Sequence, residues 1–399
     1  MKHIIEKTVE SMLTLSGAVT TVTILLIVIF LFREAFGLFK NPAVEKGYAL
    51  CINASNPVTQ LNAFDIKQIF DYQIENWSDV GGNDEVITVF RFEEIFSLYD
   101  EAAFGNAYEF LPDMLGEVIA TAPDIIAFLP EEYIPHNNDR VRILRSSKIT
   151  VNDFFGGKEW MPTATPAPRF GILPLILGTL WVSLAAILIA LPLGLGVAVY
   201  LSELAGIRMR KILKPAIELL AGIPSVVYGF FGLAVLVPLV QQVFDISVGE
   251  TGFTGSIILA IMALPTIITV AEDALRNTPA AVKEASLALG ATHWQTIYKV
   301  IIPYASSGIS AAVILGTGRA VGETMAVLMV TGNAAVMPES FFEPLRTIPA
   351  TIAAELGEAP AGGAHYQSLF MLGCILFLLT LVISITAGTI SKRHTPEGI

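Results

Sequence analysis

The sequence predicts an all-α polytopic membrane protein with six transmembrane helices and an α/β extracytoplasmic domain inserted between the first two. Only 15% of its 399 residues are charged and 53% are hydrophobic, whereas soluble chains carry about 25% charged residues. A sixth apolar stretch, 307–329, contains two charges, Arg319 and Glu323. The other five contain no Asp, Glu, Lys or Arg and reach the ~20 residues that a helix needs to cross a bilayer: 13–32, 170–202, 219–244, 251–271 and 366–391.

The first apolar run fits two interpretations, a retained helix and a cleaved signal peptide. Its uncharged stretch is longer than the apolar region of a typical signal peptide. The residues that follow, Phe32-Arg33-Glu34-Ala35, do not form a small-residue cleavage site. Both observations favour a retained transmembrane helix.

Lys and Arg residues are concentrated in alternate connections, which predicts how the chain is oriented in the membrane. The N-terminus, the C-terminal tail, residues 203–214 and residues 272–299 together contain eleven of them. The short connections on the opposite side, 245–250 and 339–358, contain only Arg346. We therefore expect a multi-pass protein of the cell (inner) membrane with both termini in the cytoplasm.

The formal net charge of −12 comes almost entirely from one segment of the chain. Residues 40–159 contain 9 basic and 20 acidic side chains, a net charge of −11. A helical stretch at 65–72 and strand-like stretches at 86–90 and 125–129 predict α/β character, and the size is normal for one domain. The sequence thus predicts three parts: 1–39 with the cytoplasmic N-terminus and first helix, 40–165 as the acidic extracytoplasmic domain, and 166–399 with helices two to six, a coupling segment at 276–303 and the cytoplasmic C-terminus.

The predicted cytoplasmic connection before the fifth span contains a short helix, a glycine and a second helix that runs toward the membrane. Residues 284–303 read EASLALGATHWQTIYKVIIP, and Ala285, Ala288 and Leu289 form a small apolar face at helical spacing. A cytoplasmic helix with an apolar face needs a surface to cover it. That surface is either the bilayer or a partner protein.

This segment resembles the coupling helix of importer permeases of the ATP-binding-cassette superfamily. Glu284, Ala285, Gly290 and Pro303 occupy the expected positions of that motif, and three conservative departures stand at Ser286, Val300 and Ile302. The resemblance favours a docking role over a helix on the bilayer surface. It implies insertion into a cleft of a separate ATPase subunit, with Glu284 and Gly290 setting the geometry of the helix and turn.

Arg319 and Glu323 lie inside a predicted span, where charges are expensive and have a functional role by default. Their spacing of four predicts that both lie on one helical face and can pair with each other. Charge alone leaves two interpretations equally open. One is a structural ion pair that locks helices together, and the other is an anion pathway in which Arg319 supplies positive potential.

Three separate stretches in order resemble phosphate importer permeases of the PstC type. They are 316–327 (GTGRAVGETMAV), 170–179 with 192–194, and 221–229 (AGIPSVVYG). The resemblance covers about residues 150–391 and the first helix. It implies that Arg319 and Glu323 take part in phosphate translocation.

Small residues near these charges, Gly316, Gly318 and Gly322, predict that a neighbouring helix approaches closely. Pro224 beside Gly222 predicts a break in the third span, which a membrane tolerates only where other groups satisfy the freed backbone.

The resemblance also implies which partners and cofactors are needed. The chain is expected to be a transport subunit and not an enzyme, with ATP and Mg bound by a partner and no cofactor of its own. Expected partners are a second, PstA-like permease subunit, a homodimeric PstB-like ATPase and a PstS-like extracytoplasmic phosphate-binding protein, with no nucleic acid. Alternatives are a permease for another oxyanion, such as molybdate or sulfate, and an ATP-independent secondary transporter.

Part of the acidic domain resembles the phosphate-binding protein of the same kind of system. The resemblance lies in residues 61–90 and 126–130, but the Ser-Gly-Thr turn expected after Arg91 is absent. With its charge of −11 the domain is a poor oxyanion trap. We interpret it either as a degenerate binding-protein lobe that serves as a docking or gating platform, or as a passive insertion.

Catalytic and metal-binding motifs are absent from the sequence. It contains no phosphate-binding loop, no nucleophile elbow and no His-Glu-x-x-His. Cys51 lies in the acidic domain and Cys374 in the last span, so the two are not expected to pair. No metal site is predicted.

Overall fold

The computed structural model describes residues 2–135 and 138–393, and most of them are helical. Five-residue π-helical turns lie at Tyr200–Leu204, Gly232–Leu236 and Ile297–Ile301. The α-helices are α1 (Lys2–Gly37), α2 (Ala63–Phe70), α3 (Ile95–Leu98), α4 (Leu111–Thr121), α5 (Val151–Gly156), α6 (Leu173–Val199), α7 (Ile207–Ala221), α8 (Ser225–Phe231), α9 (Val237–Phe244), α10 (Gly252–Arg276), α11 (Ala280–Ala288), α12 (His293–Thr296), α13 (Ile302–Tyr304), α14 (Ser306–Gly322), α15 (Met325–Val330), α16 (Ile348–Glu355) and α17 (Ala364–Arg393).

The strands all lie before α6. They are β1 (Tyr48–Asn53), β2 (Gln60–Leu61), β3 (Thr88–Arg91), β4 (Ile125–Pro130), β5 (Val141–Ser146), β6 (Trp160–Met161) and β7 (Arg169–Phe170). The first five form one mixed sheet in the order β2-β5-β1-β4-β3, and β6 pairs with β7. The described chain divides into two compact units. One contains the residues up to Ile172 with Ala359–Met371, and the other contains Leu173–Glu358 and the residues from Leu372 onward.

Five helical segments of the described chain are long and apolar enough to cross a membrane: Val9–Lys40, Leu173–Leu204, Ser225–Phe244, Gly252–Arg276 and Ala364–Thr386. The pair His293–Tyr304 and Ser306–Gly322 gives a sixth if it counts as one span, although it is bent by 69°. The chain is therefore a polytopic helical membrane protein with five or six candidate spans.

The apolar stretch predicted as a span at 307–329, the fifth span in chain order, has a bend just before it and an interruption inside it. The bend at Ala305 follows a π turn and Pro303, whose missing N–H removes a helical hydrogen bond and favours a kink. A second interruption separates α14, which ends at Gly322, from α15, which begins at Met325.

Helix α10 forms the centre of the second unit and packs against α6 and α14. Ile267 of α10 is fully buried between two glycines of its neighbours. A Cβ atom would lie 2.8 Å from Ile267 if added to Gly194 of α6, and 2.7 Å from it if added to Gly316 of α14. Both glycines are therefore required for close helix packing, as is common where helices meet in membranes.

The sheet of the first unit is covered on both faces. Leu50 and Ile52 of β1 pack on the side of α2, whereas Cys51 between them packs on the side of α4. This alternation follows from the period of two in a strand. The helix predicted at 65–72 corresponds to α2, and the strands predicted at 86–90 and 125–129 correspond to β3 and β4.

An ionic cluster joins α2 to the end of the first unit. Glu159 accepts hydrogen bonds from Lys67 at 3.0 Å and from Arg169 at 2.8 Å, and Arg169 also pairs with Asp71 at 2.5 Å. Arg169 lies in β7, opposite Met161. Strand β6 thus lies before the predicted domain boundary at residue 165, and its partner β7 lies after it. The boundary itself stays a prediction.

This cluster predicts an acid-dependent loss of stability. The hydrogen bond from Lys67, followed by that from Arg169, lowers the pKa of Glu159. A carboxyl group whose pKa is lowered by folding stabilises the folded state above its unfolded pKa of about 4.3, and this contribution disappears as the pH falls through the lowered folded value. We expect the melting temperature of the full chain in detergent, followed by tryptophan fluorescence, to fall more steeply below about pH 4 than that of Glu159→Gln.

The matched control is Glu117→Gln, because Glu117 is an exposed carboxylate of the same unit. Its melting temperature should follow the wild-type pH profile. Parallel profiles for wild type and Glu159→Gln would show that the cluster contributes nothing to stability.

Candidate translocation and coupling sites

The segment between α10 and α14 folds into a helix, a turn and a second helix, the arrangement expected from its sequence. Helix α11 begins after Pro279, and Gly290 adopts a left-handed conformation (φ +85°) that favours glycine. Thr292 then caps α12 through a capping box with Gln295. The chain continues through a π turn to Pro303 in α13.

The outer surface of this segment is uncovered in the isolated chain. Helix α11 buries no residue, and Glu284, Ala285 and Ala288 are all exposed. Leu289 is 90% exposed and Trp294 is 61% exposed. Within the described residues Glu284 has no ion-pair partner. An acidic group beside exposed apolar side chains is free to meet another surface.

Arg319 and Glu323 do not pair as their spacing predicted. Helix α14 ends at Gly322, and Glu323 has an extended conformation (φ −71°, ψ 133°). The two residues are therefore not successive positions on one continuous helical face, and that expectation was wrong. Among the described residues no ion pair joins them.

Each of these charged side chains has a different neighbour. The Arg319 guanidinium lies 3.5 Å from the Thr266 hydroxyl of α10, which is a long contact. The Glu323 carboxylate accepts a hydrogen bond of 3.4 Å from the backbone N–H of Ala326 at the start of α15. Both side chains are half-buried. The guanidinium is thus held weakly within this chain and has unused donors.

A cavity of about 510 Å³ opens beside the interruption between α14 and α15. Gly322 and Thr324 line it, together with Ile352 of α16, Leu356 directly after α16 and Leu376 of α17. The chain thus combines an interrupted helix, two separated charges and an accessible cavity in one region of the second unit.

The predicted role of glycines in this region is met only in part. Gly316 packs directly against α10, as described above. Gly318 and Gly322 have open space around them, because among the described residues a Cβ added at either position has no heavy atom within 4 Å apart from its chain neighbours and the backbone of its own helix. Their expected close packing against a neighbouring helix is not seen in the isolated chain.

The chain leaves the helical conformation at Gly222-Ile223-Pro224, between α7 and α8. The carbonyl of Leu220 accepts a hydrogen bond of 2.8 Å from the hydroxyl of Tyr228 and one of 3.3 Å from the backbone N–H of Ile223. The interruption lies just before the candidate span Ser225–Phe244 and not inside the third span, where it was predicted.

A hydrogen bond between α6 and α16 was not predicted from the sequence. Thr179 of α6 accepts a hydrogen bond of 2.9 Å from the backbone N–H of Ile348, the first residue of α16. A side chain at Gly178 would collide with the carbonyl of Arg346. The Gly-Thr pair was noted only as part of a family resemblance, and pairing across 169 residues leaves no periodic pattern in the sequence.

No group of three or more His, Cys, Asp or Glu side chains suited to a metal ion is found in the part of the chain that the structure describes. The cofactor prediction stays a prediction.

The helical spans, the interrupted fifth span and the exposed helix-turn-helix segment define a multi-pass membrane permease. The chain belongs to the family of binding-protein-dependent transport system inner membrane components, whose model matches residues 190–395.

Three relatives illustrate the similarity. The probable ABC transporter permease YqgH of Bacillus subtilis is 41% identical over 62% of this chain and 79% of its own length. The phosphate transport system permease PstC of Pasteurella multocida is 39% identical over 61% of this chain and 81% of its own length. The PstC permease of Mesorhizobium japonicum is 42% identical over 58% of this chain and 75% of its own length.

Similarity to solved structures is more distant. The inward-facing MetNI methionine ABC transporter aligns with a TM-score of 0.45 at 19% identity, over 56% of this chain and 98% of its own. An ABC-type phosphate transport receptor from Vibrio cholerae aligns with a TM-score of 0.20 at 20% identity, over 29% of this chain and 52% of its own.

Proposed function

We propose that this chain is a membrane-spanning permease subunit of an ATP-driven phosphate importer and forms half of its translocation pathway. The observation that carries the proposal is the identity of about 40% to permeases named for phosphate transport, over about four-fifths of their length. ATP hydrolysis belongs to a separate ATPase subunit. The other partners are a second permease subunit and an extracytoplasmic phosphate-binding protein.

The exposed helix α11 supports an ATPase-docking role. Its outer surface presents Glu284, Ala285 and Leu289, and the left-handed Gly290 turns the chain back toward the membrane. An apolar helix face with one charge at its edge fits a groove on a partner protein. Because α11 lies in a connection rich in Lys and Arg, we assign it to the cytoplasmic side of the membrane, together with both termini.

Arg319 supports the anion pathway over the structural ion pair. Its guanidinium has no carboxylate partner among the described residues and only one long hydrogen bond. A guanidinium with free donors binds phosphate oxygens in pairs, which gives both charge and geometry. Glu323 stands at the interruption of the helix, where a change in its hydrogen bond to Ala326 can accompany the transport cycle.

The proposal also includes the sheet-containing domain, which we assign as an α/β domain inserted between the first two spans and located outside the membrane. Its Arg91 guanidinium lies over the Phe70 ring, 5.5 Å from the ring centroid, and Glu93 and Glu94 follow two and three positions later in the chain. These groups disfavour an oxyanion there. We therefore assign the domain a docking or gating role, with a passive insertion as the alternative.

Competition between oxyanions tests the substrate. In cells whose phosphate uptake depends on this chain, we expect excess unlabelled phosphate to suppress the uptake of labelled phosphate. Equal concentrations of molybdate or sulfate should leave it nearly unchanged. Suppression by molybdate or sulfate as strong as that by phosphate would favour a permease for another oxyanion.

A further inference from the structure

Helix α11 is attached to a membrane span by one short ion pair. The ammonium group of Lys283 lies 2.6 Å from a carboxylate oxygen of Glu203. The Glu203 side chain is only 7% exposed and that of Lys283 is 24% exposed. Because the partners are 80 residues apart, this contact joins two elements that no local helical pattern connects.

The two ends of this contact lie in different kinds of structure. Glu203 belongs to the π turn Tyr200–Leu204, which ends the span that begins with α6. Lys283 lies in the first half of α11, next to the exposed Glu284. The ion pair therefore connects the end of one span to the helix to which we assign ATPase docking.

A second, weaker attachment lies on the same inner side of α11. The hydroxyl of Ser286 is 3.0 Å from that of Thr296, the last residue of α12. The chain then enters the π turn Ile297–Ile301, whose terminal isoleucines are buried beside Ala198 and Leu275. Helix α11 is thus connected to the start of the fifth span by the backbone and by this hydroxyl pair.

No apolar core holds α11 in place. None of its residues is buried, so the Lys283–Glu203 pair and the Ser286–Thr296 pair are its side-chain attachments within the described chain. An ion pair with a partner this buried is strongly sensitive to loss of one member, because the remaining charge is left uncompensated.

Glu203 lies within one π turn, and Thr296 directly precedes another. Such turns are uncommon, occur mostly as single insertions in α-helices and are frequent at functional sites. The pairs therefore meet the spans at points where the helical hydrogen-bond pattern already departs from regularity.

We propose that the Lys283–Glu203 ion pair transmits the movement of the docked helix α11 to the span that contains α6. Lys283 and Glu203 are positioning residues in this scheme, and neither contacts ATP or the transported anion. The proposal rests on the assignment of α11 as the ATPase-docking helix. Docking itself uses the opposite, exposed surface of α11.

The test uses the full chain assembled with its ATPase, second permease and binding protein in proteoliposomes. Lys283→Met and Glu203→Gln each remove one charge, and the double variant Lys283→Glu with Glu203→Lys exchanges the two. We expect each single variant to retain co-purification with the ATPase but to transport at least tenfold less phosphate per ATP hydrolysed. The exchange should recover a substantial part of that ratio.

Lys211→Met is the matched control, because Lys211 is an exposed lysine of α7, a helix that Arg210 joins to the π turn Tyr200–Leu204 and Lys214 joins to α10. It should transport as the wild type does. Unchanged phosphate per ATP in both single variants would overturn the proposal, and so would an exchange variant no better than the single ones. Loss of ATPase co-purification in the single variants would assign the pair to docking instead.

Failure of the proposed function gives a different result. In that case the wild type itself would neither retain the ATPase nor couple uptake to hydrolysis. A melting-temperature measurement on each variant shows whether it is folded, and Glu203→Gln preserves the size of the side chain if Lys283→Met does not fold.

Discussion

Glu284→Lys is expected to leave the chain in the membrane and to abolish its co-purification with the ATPase subunit. The Glu284 side chain is exposed on α11 and has no ion-pair partner among the described residues, so its replacement removes no contact within the chain. Reversing a charge at the edge of a desolvated interface juxtaposes like charges or leaves a buried charge unpaired, which costs about 2–5 kcal/mol. That loss is a factor of roughly 30 or more in the dissociation constant.

The measurement is the ratio of ATPase to permease after affinity purification, combined with the amount of permease in membranes. Glu218→Lys is the control, since Glu218 is an exposed carboxylate on α7 and lies on the same predicted side of the membrane. It should retain the ATPase. Unchanged co-purification for Glu284→Lys would count against a coupling role for α11 and would favour a helix on the bilayer surface.

Arg319→Gln is expected to reduce phosphate uptake at least tenfold while docking of the ATPase survives. The substitution removes the positive charge near the interruption between α14 and α15 but retains two hydrogen-bond donors. It breaks only the long contact with Thr266. A charged hydrogen bond to an anion contributes about 1.5–3 kcal/mol, which corresponds to about tenfold or more.

Two companion variants separate the pathway from a structural role. Arg319→Lys keeps the charge and loses the paired geometry, so we expect intermediate uptake. Thr266→Val removes the neighbour of Arg319 and should have a small effect. Normal phosphate uptake by Arg319→Gln would leave Arg319 a structural residue. A loss of uptake accompanied by a large fall in the melting temperature would lead to the same conclusion.

Local sequence patterns predicted those features that depend on composition and short-range geometry. Uncharged runs located the spans, because hydrocarbon excludes charge over a fixed thickness. Gly290 was identified as a turn from the conformations that glycine favours, whereas the helix break at Gly222-Ile223-Pro224 was correctly located but lies before the candidate span and not inside it. The strand-like stretches at 86–90 and 125–129 located β3 and β4, and β4 is apolar at nearly every position because the sheet is covered on both faces.

Features that depend on tertiary contacts did not follow from the sequence. A spacing of four between Arg319 and Glu323 predicts pairing only while the helix continues, and the helix ends at Gly322. The Lys283–Glu203 pair brings together residues from two connections. In the sequence, each of these residues is equally consistent with a solvent-exposed charge in a cytoplasmic loop. The composition therefore did not predict that they pair.

The open space beside Gly318 and Gly322 has a related explanation. Small residues on a membrane helix predict a close neighbour, but they do not specify whether that neighbour belongs to the same chain. In this chain Gly316 meets α10, whereas Gly318 and Gly322 have no contact within 4 Å of an added Cβ among the described residues. A second permease subunit is the partner that the proposed function supplies for them.

The most direct test of the account is phosphate uptake by proteoliposomes that contain this chain, its second permease subunit and the binding protein, with and without the ATPase. If the chain is a permease subunit of an ATP-driven importer, labelled phosphate accumulates only when the ATPase and hydrolysable ATP are both present. Accumulation of phosphate in the absence of the ATPase would contradict it and would identify a secondary transporter.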